Sequence, residues 1–123
     1  MTTGSDAIVR RAGSIAAQTA EFGVMRWLLD GDVVPGTAMT LGEVVIRAGR
    51  KNPLHAHPNA EEVLFLVEGA LEHRVGEATY RLEPGDCIRV PAGEPHDARS
   101  LGPGDARMIV CYNHPHRSYE ALE

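Results

Sequence analysis

The sequence is short of several things, and each shortage excludes a class of function. Basic charge is not in excess: 12 Lys and Arg stand against 17 Asp and Glu, for a formal net charge of −5. Nucleic-acid binders displace counterions from phosphates with a basic surface, so no nucleic-acid partner is expected. No apolar run approaches the roughly 18–20 residues that cross a bilayer as a helix, so no membrane partner is expected. The opening stretch MTTGSDAIVRRAG lacks the apolar core of a signal peptide. Cysteine is scarce: Cys87 and Cys111 make no CxxC pair and no zinc framework. Two free thiols suit a reducing compartment, and the expectation is a soluble, cytoplasmic chain. No repeat of solenoid period occurs. The 123 residues make a single domain, with no room for a fused helix-turn-helix.

Glycine, proline and histidine are plentiful instead. Thirteen Gly and eight Pro are spread along the chain, above the roughly 12% that is usual. They punctuate many short apolar runs, which is the pattern of an all-β sandwich or barrel. The runs are 24–29, 39–48, 62–68, 70–75, 78–82, 86–90, 96–101 and 106–113. Runs 70–75 and 78–82 flank Gly76-Glu77 as a hairpin. The stretch NPLHAHPNA carries two prolines and reads as loop or edge. Residues 24–113 are expected to form the barrel, 1–23 a strand or loop extension, and 114–123 a polar tail whose final Leu-Glu carries no weight. Within the extension two alternatives stand. Ser5 or Asp6 caps a helix carrying Ile8, Ala12, Ile15 and Ala16, or a short strand covers Ala7–Arg10. Run 62–68 is apolar on both faces, with Leu64 and Leu66 on one and Val63, Phe65 and Val67 on the other. Such a strand needs cover on both sides, and a second subunit is the natural cover in so small a domain.

Three of the six histidines fall into one pattern. His55 and His57 stand two apart on extended chain, so their imidazoles share a face. Glu62 opens the next strand after a loop long enough to reverse direction. His96 comes from a distant strand that would have to face the same cavity. Three imidazole nitrogens and one carboxylate suit a single divalent Fe, Mn, Co, Ni, Cu or Zn per chain. On an octahedral ion, four protein ligands leave two positions for water, dioxygen or a chelating substrate.

These residues resemble the cupin family. Its first motif is matched by Gly49, five residues, His55-x-His57, four residues, Glu62, six residues and Gly69. That spacing selects Glu62 over Glu61. The second is matched by Gly85, five residues, Pro91-x-Gly93, two residues, His96 and three more residues, where Ser100 stands in place of the family's Asn at a non-ligand position. The resemblance implies a double-stranded β-helix, a jelly-roll barrel of six to eight strands with the metal inside one end, and a homodimer. It implies dioxygenase, isomerase, cyclase, decarboxylase or lyase chemistry. The expected function is a divalent-metal-dependent enzyme, dioxygenase-like and with iron as the first choice of metal, acting on a small, chelating, oxygen-rich substrate. The alternatives are an isomerase, an aromatic polyketide cyclase, a decarboxylase or a non-catalytic small-molecule binder.

Strand alternation places Leu64 and Leu66 on the cavity face with Glu62, and Ala98 and Ser100 with His96. The parity of Tyr80, Met108 and Tyr112 stays open. The expected pocket is largely aliphatic and has no independent general base. His73 shares a face with Leu71 and Val75 and reads as packed or at a rim. His114 and His116 flank Pro115 in the solvated tail. Cys87 and Cys111 read as small hydrophobes. Arg47 and Arg50 read as a solvated strand end rather than a greeting for an anionic substrate, and Glu61 as solvent-facing or adjoining the metal ligands.

Overall fold

A computed structural model describes residues 8–123. Apolar alternation becomes strand wherever it is sustained. The strands are β1 (Ala17–Ala20), β2 (Gly23–Leu29), β3 (Thr40–Ile46), β4 (His55–Ala56), β5 (Glu62–Glu68), β6 (Leu71–Val75), β7 (Ala78–Leu82), β8 (Cys87–Val90), β9 (His96–Ser100), β10 (Ala106–Tyr112) and β11 (Glu120–Ala121). They form two antiparallel sheets, ordered β1-β2-β3-β10-β5-β8 and β11-β4-β9-β6-β7. The fold is all-β, a double-stranded β-helix in a single domain. Along β3 and β10, residues alternate strictly between buried and half-buried, so each strand turns one side chain in two to the interior. Among the described residues, no helix is long and apolar enough to cross a membrane.

Strand register gives the barrel two unlike ends. Ile46 pairs with Ala106, and Leu71 with Ser100. These residues and Leu66 are all 0% exposed, and they plug the closed end. Each large aliphatic side chain there contributes on the order of 1.5–3 kcal/mol by leaving water. At the other end Tyr112 pairs with Thr40 and with Glu62, while His96 pairs with Val75 and with His55. Polar, ligand-type side chains collect there. Gly69 turns the chain from β5 into β6 at φ +87°. A Cβ at that position would lie 2.6 Å from the Asp105 carbonyl oxygen, so both conformation and space demand glycine.

Of the N-terminal expectations, the helix holds at Ile8 and does not continue beyond it. Ser5, Asp6 and Ala7 lie outside the described residues. The strand expected over Ala7–Arg10 is absent from 8–10, and in place of a helix carrying Ala12, Ile15 and Ala16 there is a single 3-10 turn, Ala12–Ser14. The apolar stripe is too short to extend the helix, and Gly13 weakens it further. Pairing with β2 satisfies the backbone instead, so β1 joins the sheet ahead of the expected boundary at residue 24. Two side chains secure the segment, Arg10 Nε to the Leu28 carbonyl at 3.2 Å and Arg26 Nη2 to that of Ala12 at 3.0 Å. On β5 only one face is buried. Val63 and Phe65 are 37% and 44% exposed on the outside of the barrel.

Candidate metal centre

Four residues from three strands and a loop meet at the open end. His55 lies on β4 directly opposite His96 on β9. His57 follows just beyond β4, and Glu62 begins β5. The turn that returns the chain to His96 is tied to this group, because the Gly93 N–H donates to the His57 carbonyl at 3.0 Å. Gly93 adopts φ +81° to do so. One ring nitrogen from each of His55, His57 and His96 lies within 4.8 Å of the others. Glu62 Oε1 is 3.1 Å from His96 Nε2 and 3.5 Å from His57 Nε2. All four are buried, between 2% and 7% exposed.

The backbone sets each imidazole's tautomer. Nδ1–H of His55 donates to the Pro53 carbonyl at 2.6 Å, that of His57 to Ser118 at 2.7 Å, and that of His96 to Glu94 at 2.8 Å. Each Nε2 therefore faces inward, with its lone pair free at His55 and His57 and with Glu62 opposite it at His96. His57 Nε2 is buried without a hydrogen-bond partner. Orphaned buried polar atoms are uncommon, and this one aims at the centre of the cluster. The donor set fits a divalent transition ion.

Electrostatics favour neutral rings at His55 and His57 and a retained proton at His96. Burial, and then the charge of His96, lowers the His55 pKa to about 4. Burial also lowers that of His57. For His96 burial acts downward, but the Glu62 hydrogen bond and charge outweigh it, so its pKa is raised. For Glu62 burial acts upward, and His96, His57 and His73 outweigh it, so its pKa is lowered. His96 and Glu62 thus share a proton in the place a cation would take.

The cavity above these residues measures about 210 Å³. Leu64 and Ala98 line it as expected, together with Met108 and Tyr112. Leu66 and Ser100 share that face, but they sit deeper in the closed end and do not line it. Tyr80 is 49% exposed on β7. The wall is largely aliphatic as expected, with Met25, Val44, Leu64, Ala98, Met108 and Val110, and Phe22, Trp27, Tyr112 and Tyr119 add rings to it. His73 is 1% exposed and lines the cavity, its ring parallel to that of His96 at 6.0 Å. Burial lowers its pKa to about 4. Alternation had put it inside, but the level at which core gives way to cavity is a property of the closed barrel.

Residues 114–123 are not a solvated tail. Ser118 holds His57, and Tyr119 stacks on His55 with centroids 5.0 Å apart. Arg117 lies over the Trp27 ring at 3.9 Å. The His114 carbonyl accepts from Thr40 and that of His116 from Asn59. β11 pairs with β4, and Glu123 binds Lys51 and the Leu54 N–H. A single sequence offers no sign of these contacts, because most use backbone atoms. Other side chains take surface roles. Arg50 pairs with Glu21, Glu61 with Arg89, Arg47 lies outside the cavity wall, and Cys87 is exposed rather than packed.

Comparison with known proteins agrees with this architecture. An uncharacterised protein of Methanocaldococcus jannaschii is 28% identical over 85% of this chain and 83% of its own. The tetracenomycin polyketide synthase protein TcmJ of Streptomyces glaucescens is 31% identical over 78% of this chain and 64% of its own. Quercetin 2,3-dioxygenase of Bacillus subtilis is 37% identical over 48% of this chain but only 18% of its own. In structure, the formate complex of Lactobacillus farciminis oxalate decarboxylase superimposes with a TM-score of 0.82 at 22% identity, over 89% of this chain and 34% of the other. The chain thus spans less than two-thirds of most of these relatives. The profile of the Cupin domain matches residues 42–112, from β3 through β10, and this protein belongs to the cupin family.

Proposed function

We propose that this protein is a divalent-metal-dependent enzyme, dioxygenase-like, that acts on a small, oxygen-rich, chelating substrate as a homodimer. One observation carries the reading: three buried imidazoles present backbone-fixed Nε2 atoms to one point beside a buried carboxylate, and one of those atoms has no hydrogen-bond partner. A divalent ion held by His55, His57, His96 and Glu62 supplies Lewis acidity toward a chelating pair of oxygens and, if iron, redox access to dioxygen.

The chain's own residues supply the rest. Leu64, Val110 and Met108 exclude water from one side of the cavity. Tyr112 faces Glu62 across the β5–β10 pair, and burial, then the Glu62 charge, pushes its pKa far up. It stays a hydroxyl whose proton is directed to Glu62, so it holds that carboxylate in place. His73 stays neutral and presents a second polar edge to the same space. The free thiols of Cys87 and Cys111 suit a reducing compartment.

Oxygen uptake by Fe(II)-reconstituted protein, measured across catechols, enediols, β-diketones and hydroxycarboxylates, tests this. Turnover should require dioxygen and vanish in His57→Ala and Glu62→Ala. Activity that survives loss of both ligands would overturn it. Similarity to a polyketide synthase protein over most of the chain supports a second reading, isomerisation or cyclisation of a polyketide-like substrate. That reading is distinguished by turnover under strict anaerobiosis with zinc or nickel.

A further inference from the structure

The C-terminal segment brings a guanidinium into the cavity, and its electrostatic balance is incomplete. Arg117 lines the same space as the candidate metal ligands. Its Cζ lies 3.9 Å above the Trp27 centroid and 5.3 Å from that of Tyr112, so two ring faces hold it in place. The chain on either side is pinned, since Asn59 accepts from the Ser118 N–H at 2.7 Å and donates to the His116 carbonyl at 2.9 Å. Room for the indole comes from Gly42, where a Cβ would come within 2.5 Å of Trp27.

Outer-surface arginines such as Arg26, Arg74, Arg89 and Arg107 each pair with a carboxylate. Among the described residues none pairs with Arg117, and its Nε is buried without a partner. Tyr112 stands between it and Glu62 and interacts with both. Once Glu62 neutralises part of a divalent ion, that ion and Arg117 together leave the cavity two charges positive. A half-buried cationic fork facing an electropositive site calls for an anion of matching geometry, which is a carboxylate.

We propose that Arg117 is the anion-recognition residue of this cavity, and that the ligand is a small carboxylate lying between the metal-binding imidazoles and the guanidinium. The inference rests on the metal-centre reading above and specifies the substrate class of that site. A cavity of about 210 Å³ is smaller than a drug-sized pocket of roughly 300–1,000 Å³. The hydrocarbon part of the ligand is at most one ring, laid against Phe22, Met25 and Leu64.

Trp27 is the sole tryptophan and touches the guanidinium, so its fluorescence reports occupancy. The full chain, loaded with zinc, is titrated with lactate and mandelate and with their neutral amides. Each carboxylate should bind more tightly than its amide. Arg117→Gln should weaken the carboxylates by roughly ten- to hundredfold, in line with the loss of hydrogen bonds to a charged group, while amide and zinc affinities stay unchanged. Arg117→Lys should recover part of the loss. The proposal falls if neither carboxylate outbinds its amide. It falls equally if Arg117→Gln leaves carboxylate affinity intact, or if it weakens carboxylates, amides and zinc alike, as a purely structural residue would. Zinc affinity, measured separately by chelator competition, reports on the metal reading by itself. If zinc does not bind, the same titration of metal-free protein decides the role of Arg117 alone.

Discussion

Glu62→Gln separates the metal site from the fold. Glu62 Oε1 lies 3.1 Å from His96 Nε2 and 3.5 Å from His57 Nε2, in a residue 4% exposed. Glutamine has the same shape and keeps an acceptor oxygen, but it removes the only carboxylate in the cluster. Without metal, two effects oppose each other. The buried charge disappears, which is favourable, and the charge-assisted bond to His96, on the order of 1.5–3 kcal/mol, becomes an ordinary one. The melting temperature of the metal-free variant should therefore stay within a few degrees of the parent. With metal the two proteins diverge. An ion at a hundred times its Kd stabilises by about 2.7 kcal/mol. For a domain of this size each kcal/mol moves the transition by about 3–5 °C, so the parent should rise by roughly 8–13 °C. A hundredfold loss of affinity would leave about 0.4 kcal/mol at the same metal concentration, a shift of only about 1–2 °C. Scanning fluorimetry with and without Co(II) measures both differences. A full metal-dependent rise in Glu62→Gln would refute the carboxylate as a ligand, and collapse of the metal-free variant would refute the balance of terms at His96.

Three further outcomes are expected. Asn59→Ala releases the segment that holds His57 through Ser118, and metal affinity should fall about tenfold in chelator competition; an unchanged affinity would show that the segment does not position the ligand. His55 and His57 are already neutral near pH 7 because burial lowers both pKa values, whereas His96 keeps its proton beyond the ordinary range through Glu62. Metal binding at pH 6.5 should therefore release about one proton, with affinity rising with pH until His96 deprotonates. Calorimetry in buffers of different ionisation enthalpy counts that proton, and release of two would contradict the assignment. Phe65→Glu places a charge on the exposed outer face of β5; light scattering should show the proposed dimer become a monomer, and a monomeric parent would remove the basis for that interface.

The candidate ligands were legible because each depends on local geometry. Two residues on extended chain share a face, and the spacings from Gly49 to Gly69 and from Gly85 to His96 measure out strand, turn and strand. The surroundings of the site were less legible. Leu66 and Ser100 have the parity of Leu64 and Ala98, yet they lie in the plug rather than the cavity, because parity fixes a face and not a depth. His73 is packed, as its parity with Leu71 implies, and only its depth, at the cavity wall, was not legible. The strands at either terminus were missed because β1 and β11 are short edges whose side chains are mostly exposed. Edge pairing is secured by backbone hydrogen bonds, which leave little pattern in side-chain composition.

The sequence by itself determined the apolar runs and the glycine turns, which follow from periodicity along the chain, and its resemblance to the cupin motifs picked out the buried polar quartet. Closure of the barrel decided what surrounds that quartet. It set the depth at which core ends and cavity begins, and it set the return of residues 114–123 across the mouth, which brings Arg117 onto Trp27 and Ser118 onto His57. Those contacts join residues far apart in the chain through ring faces and carbonyl oxygens, and they come into existence only when the two sheets are folded against each other.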